Sequence, residues 1–185
     1  MNASPNGRLE IRLAGSGGQG VVRAGVTLAE AAILSGRNAA HLQAYGPESR
    51  GGATRSDVVI ADGEIVFPCA QRLDILVALT RESYERHCQD LRPTGVLLAD
   101  TAAEPDSAPN VSKQLTLPFA ESAAVTAANP LAATIVALGA LAEVTGAVSI
   151  EALERAVAAR VPPGSRRSSL TALAAGRALA QKRGA

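Results

Sequence analysis

Gly15, Gly17 and Gly20 stand in the pattern G-x-G-x-x-G within the run Gly15-Ser16-Gly17-Gly18-Gln19-Gly20. Where a strand leads into such a turn and a helix leaves it, backbone N–H groups at the positive helix end can cradle a phosphate. A dinucleotide site adds an acidic residue about 20 positions on, at the end of the second strand, to hold a ribose. The stretch Arg37–Gln43 contains no acid, although Arg37 itself could suit a 2′-phosphate. Three readings of the glycines stay open: a phosphate-bearing ligand, a partner surface, or close packing of strand on helix.

A second dense stretch follows. Tyr45-Gly46-Pro47-Glu48-Ser49-Arg50-Gly51-Gly52 places an aromatic ring, an acid, a base and three glycines in eight residues. Pro47 removes a backbone donor, and Gly51-Gly52 permit positive φ or close approach of another surface. Read blandly, Glu48 and Arg50 form a solvated ion pair of about 0–1 kcal/mol.

The other reactive side chains point to structural duties. His41 and His87 have no second histidine or carboxylate at ligand spacing, and Ser49 has no nearby base to make it a nucleophile. Asp57 and Asp74 fall at strand starts, where carboxylates accept from turns, and Arg166-Arg167 reads as a solvated pair. Cys69 and Cys88 are the only cysteines. Two thiolates cannot complete the four-ligand set of a zinc site or an iron–sulfur cluster, so any cluster must sit on another polypeptide.

The elements that must position these residues are legible from periodicity. Leu9–Ala14 is a β-compatible run that ends in the glycine turn, Val21–Leu34 has apolar residues at helical spacing, Gly36 suits the position just past that helix, and Asn38–Gln43 reads as a second strand. Together they form a βαβ unit. Ser56–Ala61 and Ile65–Phe67 flank Asp62-Gly63-Glu64, which predicts a hairpin and hence some antiparallel pairing. Asp74–Leu79 and Gly95–Ala99 are apolar throughout, as in strands buried on both faces, with a helix over Arg81–Leu91 between them. A late strand over Asn110–Leu117 and a short helix over Ala120–Ala127 follow. A buried helix over Pro130–Val144 is capped by Asn129, a helix over Ile150–Val161 by Ser149, and Ser168–Arg183 is a last amphipathic helix. The expected fold is α/β, a three-layer single domain over residues 1–185 with a mixed, largely parallel sheet, an N-terminal Rossmann-like βαβ glycine loop and C-terminal helices.

Bulk properties narrow the function classes. With 185 residues, 47% hydrophobic and 19% charged, the chain can bury one continuous core and lacks the signature of disorder. Its aromatic residues are Tyr45, Phe67, Tyr84 and Phe119, so Ala, Leu, Val and Ile must fill that core. A formal charge of +1 provides no field to recruit nucleic acid or an anionic membrane. No apolar run reaches the roughly 18–20 residues of a membrane helix, and Met1–Arg8 lacks the apolar segment of a secretory signal, so a cytoplasmic location is expected.

Taken together, the glycine run and Tyr45-Gly46-Pro47-Glu48-Ser49-Arg50-Gly51-Gly52 resemble the γ module of the 2-oxoacid:ferredoxin (or acceptor) oxidoreductases. The resemblance continues through Ser56-Asp57, Ile65…Pro68, Asp74–Leu79, Asn129…Leu138-Gly139 and Ala172…Gly176, nearly the whole chain, and departs at Ser169, where the family often has asparagine.

The resemblance implies a subunit that is not catalytic alone, in a cytoplasmic hetero-oligomer of anaerobic metabolism that converts a 2-oxoacid and coenzyme A to acyl-CoA, CO2 and reduced acceptor. It implies partners of α, β and ferredoxin-like type, which carry thiamine diphosphate, Mg and iron–sulfur clusters, with ferredoxin or another acceptor receiving the electrons. It also implies that Gly17, Gly18, Gln19, Tyr45, Glu48 and Arg50 form the coenzyme A or interface edge, with no catalytic residue, metal ligand or cofactor bound by this chain alone. A stand-alone NAD(P)-dependent reductase and a purely scaffolding subunit are the alternatives. The identity of the 2-oxoacid, the acceptor and the stoichiometry are not encoded in these motifs.

Overall fold

The computed structural model describes residues 7–46, 52–105, 111–127, 129 and 132–184. The strands are β1 (Leu9–Ser16), β2 (Asn38–Tyr45), β3 (Ala53–Ala61), β4 (Leu73–Ala78), β5 (Leu91–Asp100) and β6 (Lys113–Leu117). The helices are α1 (Val21–Leu34), α2 (Arg81–His87), α3 (Phe119–Ala127), α4 (Ala133–Thr145), α5 (Ile150–Arg160) and α6 (Arg166–Gly184). The strands form one six-stranded sheet in the order β2-β3-β1-β4-β5-β6. β3 runs antiparallel to both neighbours, while β1, β4, β5 and β6 are mutually parallel. This is the mixed, largely parallel α/β architecture expected from the sequence.

Two local expectations change. First, β1–α1–β2 is a parallel crossover, yet β2 does not lie beside β1: β3 is inserted between them, pairing Gly15 with Thr54 on one side and Tyr45 with Thr54 on the other. Second, Ile65–Phe67 is not a strand. Both edges of β3 are already taken, so that segment has no ladder to join, and Val66 and Phe67 remain exposed. The antiparallel pairing comes instead from β3 against β1 and β2.

The core is apolar and aliphatic, as the composition requires. Ile11 and Leu13 of β1, Val58 and Ile60 of β3, Ile75 and Val77 of β4 and Leu98 of β5 face a layer built from α1 and α3 to α6. Burying a side chain of this size stabilises by roughly 1.5–3 kcal/mol. The opposite face carries a smaller cluster around Leu76, Leu97 and Tyr84, beneath α2. The α2 terminus is fixed by a reciprocal cap in which Thr80 Oγ1 accepts from Ser83 N–H at 3.2 Å and Ser83 Oγ accepts from Thr80 N–H at 3.0 Å. On that same face Arg12 is buried and paired, donating to Asp57 at 2.6 and 2.9 Å and to Asp90 at 2.5 Å.

The helical layer is dense because two glycines allow it. A Cβ on Gly139 of α4 would stand 2.1 Å from Leu173 O, and one on Gly176 of α6 would stand 1.8 Å from Val136 O. Neither helix could approach the other so closely with a side chain at either position. Helix ends follow the predicted signals in α1, where Gly36 has φ +80°, and in α5, where Ser149 Oγ accepts from Ala152 N–H at 3.2 Å. α4 is described from Ala133, with Ala132 N–H donating to Asn129 O at 2.9 Å; Pro130 lies outside the described residues.

Candidate functional site at the glycine turn

β1 delivers the chain to the glycine turn at the carboxyl end of the parallel strands, where ligands gather in open α/β sheets. Gly18 and Gly20 have φ of +93° and +83°, which reverse the chain before α1 begins at Val21. Gly20 caps α1 without a side-chain bond, and the first turn holds no acidic residue. The turn is held from within: Ser16 N–H donates to Gln19 Oε1 at 2.7 Å, and Gln19 N–H to Ser16 O at 3.2 Å. Gln19 therefore serves as a brace of the turn and is not among the residues that line the cavity beside it.

The second loop begins and ends at the same place. Gly17 N–H donates to Gly52 O at 2.8 Å, and Gly46 N–H to Ala53 O at 2.6 Å, so the flanks of the two loops are joined by the backbone. A cavity of about 600 Å³ opens there, with Gly17, Gly18 and Gly20 on one wall and Tyr45, which is 64% exposed, at its margin. The described flanks of the two loops thus lie side by side. Glu48 and Arg50 lie outside the described residues.

Sequence reasoning missed two arginines. Arg23, in the first turn of α1, and Arg160, the last residue of α5, both line the cavity. Arg23 was open to discovery, since it stands one turn from a glycine-capped helix start. Nothing in the periodicity of α5 could have placed its last residue beside α1. The floor includes Ser165, Ser168 and Ser169 near the start of α6, so the position that departs from the family pattern faces this cavity. Beneath α1, His41 Nε2 lies 2.7 Å from Ser56 Oγ. Burial lowers the His41 pKa; Asp57 opposes that shift and the charge of Arg160 adds to it.

The geometry offers backbone donors, two guanidinium groups and hydroxyls around one cavity, which suits an anionic ligand with an apolar part. It does not suit NADP. Arg37 stands past the opposite end of α1, where it donates to Asp62 Oδ1 at 2.7 Å and to Gly7 O. Cys69 and Cys88 are free, and among the described residues no group of three or more His, Cys, Asp or Glu side chains could hold a metal ion.

Residues 10–179 match the pyruvate ferredoxin/flavodoxin oxidoreductase family. The chain belongs to that family. The 2-oxoglutarate synthase subunit KorC of Methanocaldococcus jannaschii is 41% identical over 178 residues, which cover 95% of each chain. The gamma subunit of a keto/oxoacid ferredoxin oxidoreductase from Geobacter sulfurreducens has the same fold, with a TM-score of 0.86 and 39% identity over 95% of this chain and 97% of that one. The 2-oxoglutarate:ferredoxin oxidoreductase of Magnetococcus marinus, solved with 2-oxoglutarate, coenzyme A and succinyl-CoA bound, matches with a TM-score of 0.85 and 25% identity over 95% of this chain and 31% of that one. In that enzyme the matching unit is part of a longer polypeptide. Within the family this chain is a γ subunit of a 2-oxoacid:ferredoxin oxidoreductase, a component of a multisubunit enzyme, and not a stand-alone reductase. Among the described residues no helix is long and apolar enough to cross a membrane.

Proposed function

We propose that this γ subunit supplies the coenzyme A side of its complex and that the cavity at the glycine turn receives part of the coenzyme. The observation that carries the assignment is the convergence of Gly17, Gly18, Gly20, Arg23 and Arg160 on one cavity. The N–H groups at the start of α1 and the Arg23 guanidinium suit the 5′-pyrophosphate, a dianion at a helix N-terminus. Tyr45 gives an exposed aromatic surface at the margin, and on this reading the γ subunit is more than a scaffold. Glu48 and Arg50 remain part of the proposed edge through the sequence pattern alone.

The reaction of the complex would be 2-oxoacid plus coenzyme A to acyl-CoA, CO2, a proton and two electrons passed to ferredoxin or another acceptor. Thiamine diphosphate with Mg and the iron–sulfur clusters would be held by α-, β- and ferredoxin-like partners, and the assembly would be cytoplasmic. The relatedness to a 2-oxoglutarate synthase subunit supports 2-oxoglutarate as the oxoacid. The test is anaerobic co-purification with the partner subunits, followed by coenzyme-A-dependent acceptor reduction with 2-oxoglutarate, pyruvate and branched-chain oxoacids. Turnover highest with 2-oxoglutarate, with an Arg23→Ala complex showing a KM for coenzyme A raised about tenfold, supports the proposal. An unchanged KM removes the coenzyme from this cavity.

A further inference from the structure

Resting on the coenzyme A assignment above, we propose that Arg160 reads the 3′-phosphate of the coenzyme and that Glu30 is the positioning residue that aims it. Coenzyme A carries two separated anionic groups on one ribose, the 5′-pyrophosphate and the 3′-phosphate. One point of positive charge cannot serve both, and the described lining of the cavity has two. The first is formed by the start of α1 and Arg23. The second is Arg160, brought in from the end of α5 where that helix packs along α1.

The ion pair sets the direction of the guanidinium. Arg160 Nε is bonded to Glu30 Oε2, and the Nη1 and Nη2 groups make no hydrogen bond to any described residue. An arginine held at Nε presents its two terminal nitrogens, and such paired donors match the oxygens of a phosphate. Glu30 follows Arg23 by seven residues on the same helix, about 10 Å along its axis. The two cations are therefore anchored two turns apart on one rigid element, and their long side chains can close on two phosphates of one nucleotide. Glu30 is partly shielded, as its neighbours on α1 are buried, so the pair is held by packing as well as by charge. A glutamate at this place opposes anion binding unless it acts through the arginine, which makes the pair a specificity device for the phosphate that distinguishes coenzyme A from its 3′-dephospho form.

The experiment uses the assembled complex and compares coenzyme A with 3′-dephospho-coenzyme A as thiol substrates in oxoacid-dependent acceptor reduction. The wild-type complex is expected to prefer coenzyme A by about tenfold or more in kcat/KM, through KM. Arg160→Ala should bring that ratio towards one by raising the KM for coenzyme A by a larger factor than the KM for the dephospho form. Arg160→Lys, which keeps the charge and most of the packing, should retain part of the preference. Glu30→Gln should lose several-fold of it while leaving the dephospho form unaffected, a pattern that a merely structural role would not produce. A wild-type ratio near one, or an Arg160→Ala complex that weakens both thiols equally, overturns the inference. If Arg23→Ala raises KM for both thiols while Arg160→Ala leaves the ratio intact, only the role of Arg160 falls. If neither substitution moves any KM, the coenzyme A assignment falls with it.

Discussion

Gly18 separates conformation from contact. Its φ of +93° belongs to the left-handed region, yet a Cβ built there meets nothing within 4 Å. Gly18→Ala therefore introduces no clash and costs only the backbone penalty, about 1–2 kcal/mol. The folded chain should survive with a small loss of melting temperature, while relaxation of the turn re-aims the N–H groups at the start of α1. In the assembled complex a several-fold rise in the KM for coenzyme A is expected; a destabilised chain with an unaltered KM would show that the turn is structural only. A second residue-scale prediction concerns His87. Burial first, and then the charge of Arg12, lower its pKa to about 4, against the opposing pull of Asp90. Arg12 Nη1 lies 3.3 Å from His87 Nδ1, so the neutral ring accepts from a guanidinium that is itself locked to Asp57. The unfolded chain takes up this proton near pH 6.5, earlier than the folded one. The stabilising contribution is thus complete above about pH 6.5 and falls away as pH drops towards 4, by up to roughly 3 kcal/mol. His87→Gln should flatten the stability curve in that window, measured by urea denaturation at several pH values, and an unchanged slope would refute the assignment. Of the site, the glycines and Tyr45 were legible because local sequence alone makes such a turn and such a loop. Arg23 could have been read from its place one turn into a glycine-capped helix, whereas Arg160 could not, because arginines are common on helix surfaces and only the packing of α5 on α1 singles it out.

At the scale of elements, most boundaries follow from signals that act within a few residues: the Ser149 cap, Gly36 after α1, and the apolar runs of β4 and β5. The failures have one physical origin, which is that pairing is decided between segments. Asp62-Gly63 has the chemistry of a hairpin turn, but β1 and β2 had already satisfied both edges of β3. The insertion of β3 between β1 and β2 was equally invisible, since a crossover of the same length can deliver β2 next to β1 or one position farther. Contact between α4 and α6 shows the same logic. Gly139 and Gly176 look in isolation like poor helix formers, and their value emerges only where backbone meets backbone. Gly176→Ala would put a methyl group 1.8 Å from Val136 O, and no side-chain rotation can relieve it because the obstructing atom is backbone. Helix propensity favours alanine by about 1 kcal/mol, whereas overpacking costs about 1–3 kcal/mol or more. The net result should be destabilisation, seen as a lower denaturation midpoint. A stabilised Gly176→Ala chain would mean that α4 and α6 do not meet as closely as described.

For the whole molecule, the chemistry is divided between a core that folds the chain and a cavity at the glycine turn. A large aliphatic core lies between the sheet and the α1, α3 to α6 layer, and it gives the chain the means to fold on its own. The cavity is furnished for binding. Among its described lining residues are arginines, serines and glycines but no carboxylate, imidazole or thiol that could take a proton or form a covalent intermediate. Phosphate recognition by solvent-accessible arginines is weakened by salt, whereas apolar core packing is not. Two consequences can be measured together. The purified chain should unfold in one cooperative transition and show no oxoacid-dependent acceptor reduction, which returns only when the partner subunits are added. In the reconstituted complex, the KM for coenzyme A should rise as sodium chloride is increased from about 0.05 to 0.3 M, a range over which the Debye length shortens from about 14 to 6 Å. That rise should be smaller in the Arg23→Ala and Arg160→Ala complexes, whose cavities have each lost one charge. A salt response that is identical in wild type and both variants would place the cations that hold the coenzyme elsewhere, at Arg50 or on another subunit. Turnover by the isolated chain would be the more radical result, for it would require a reacting group outside the described lining of this cavity.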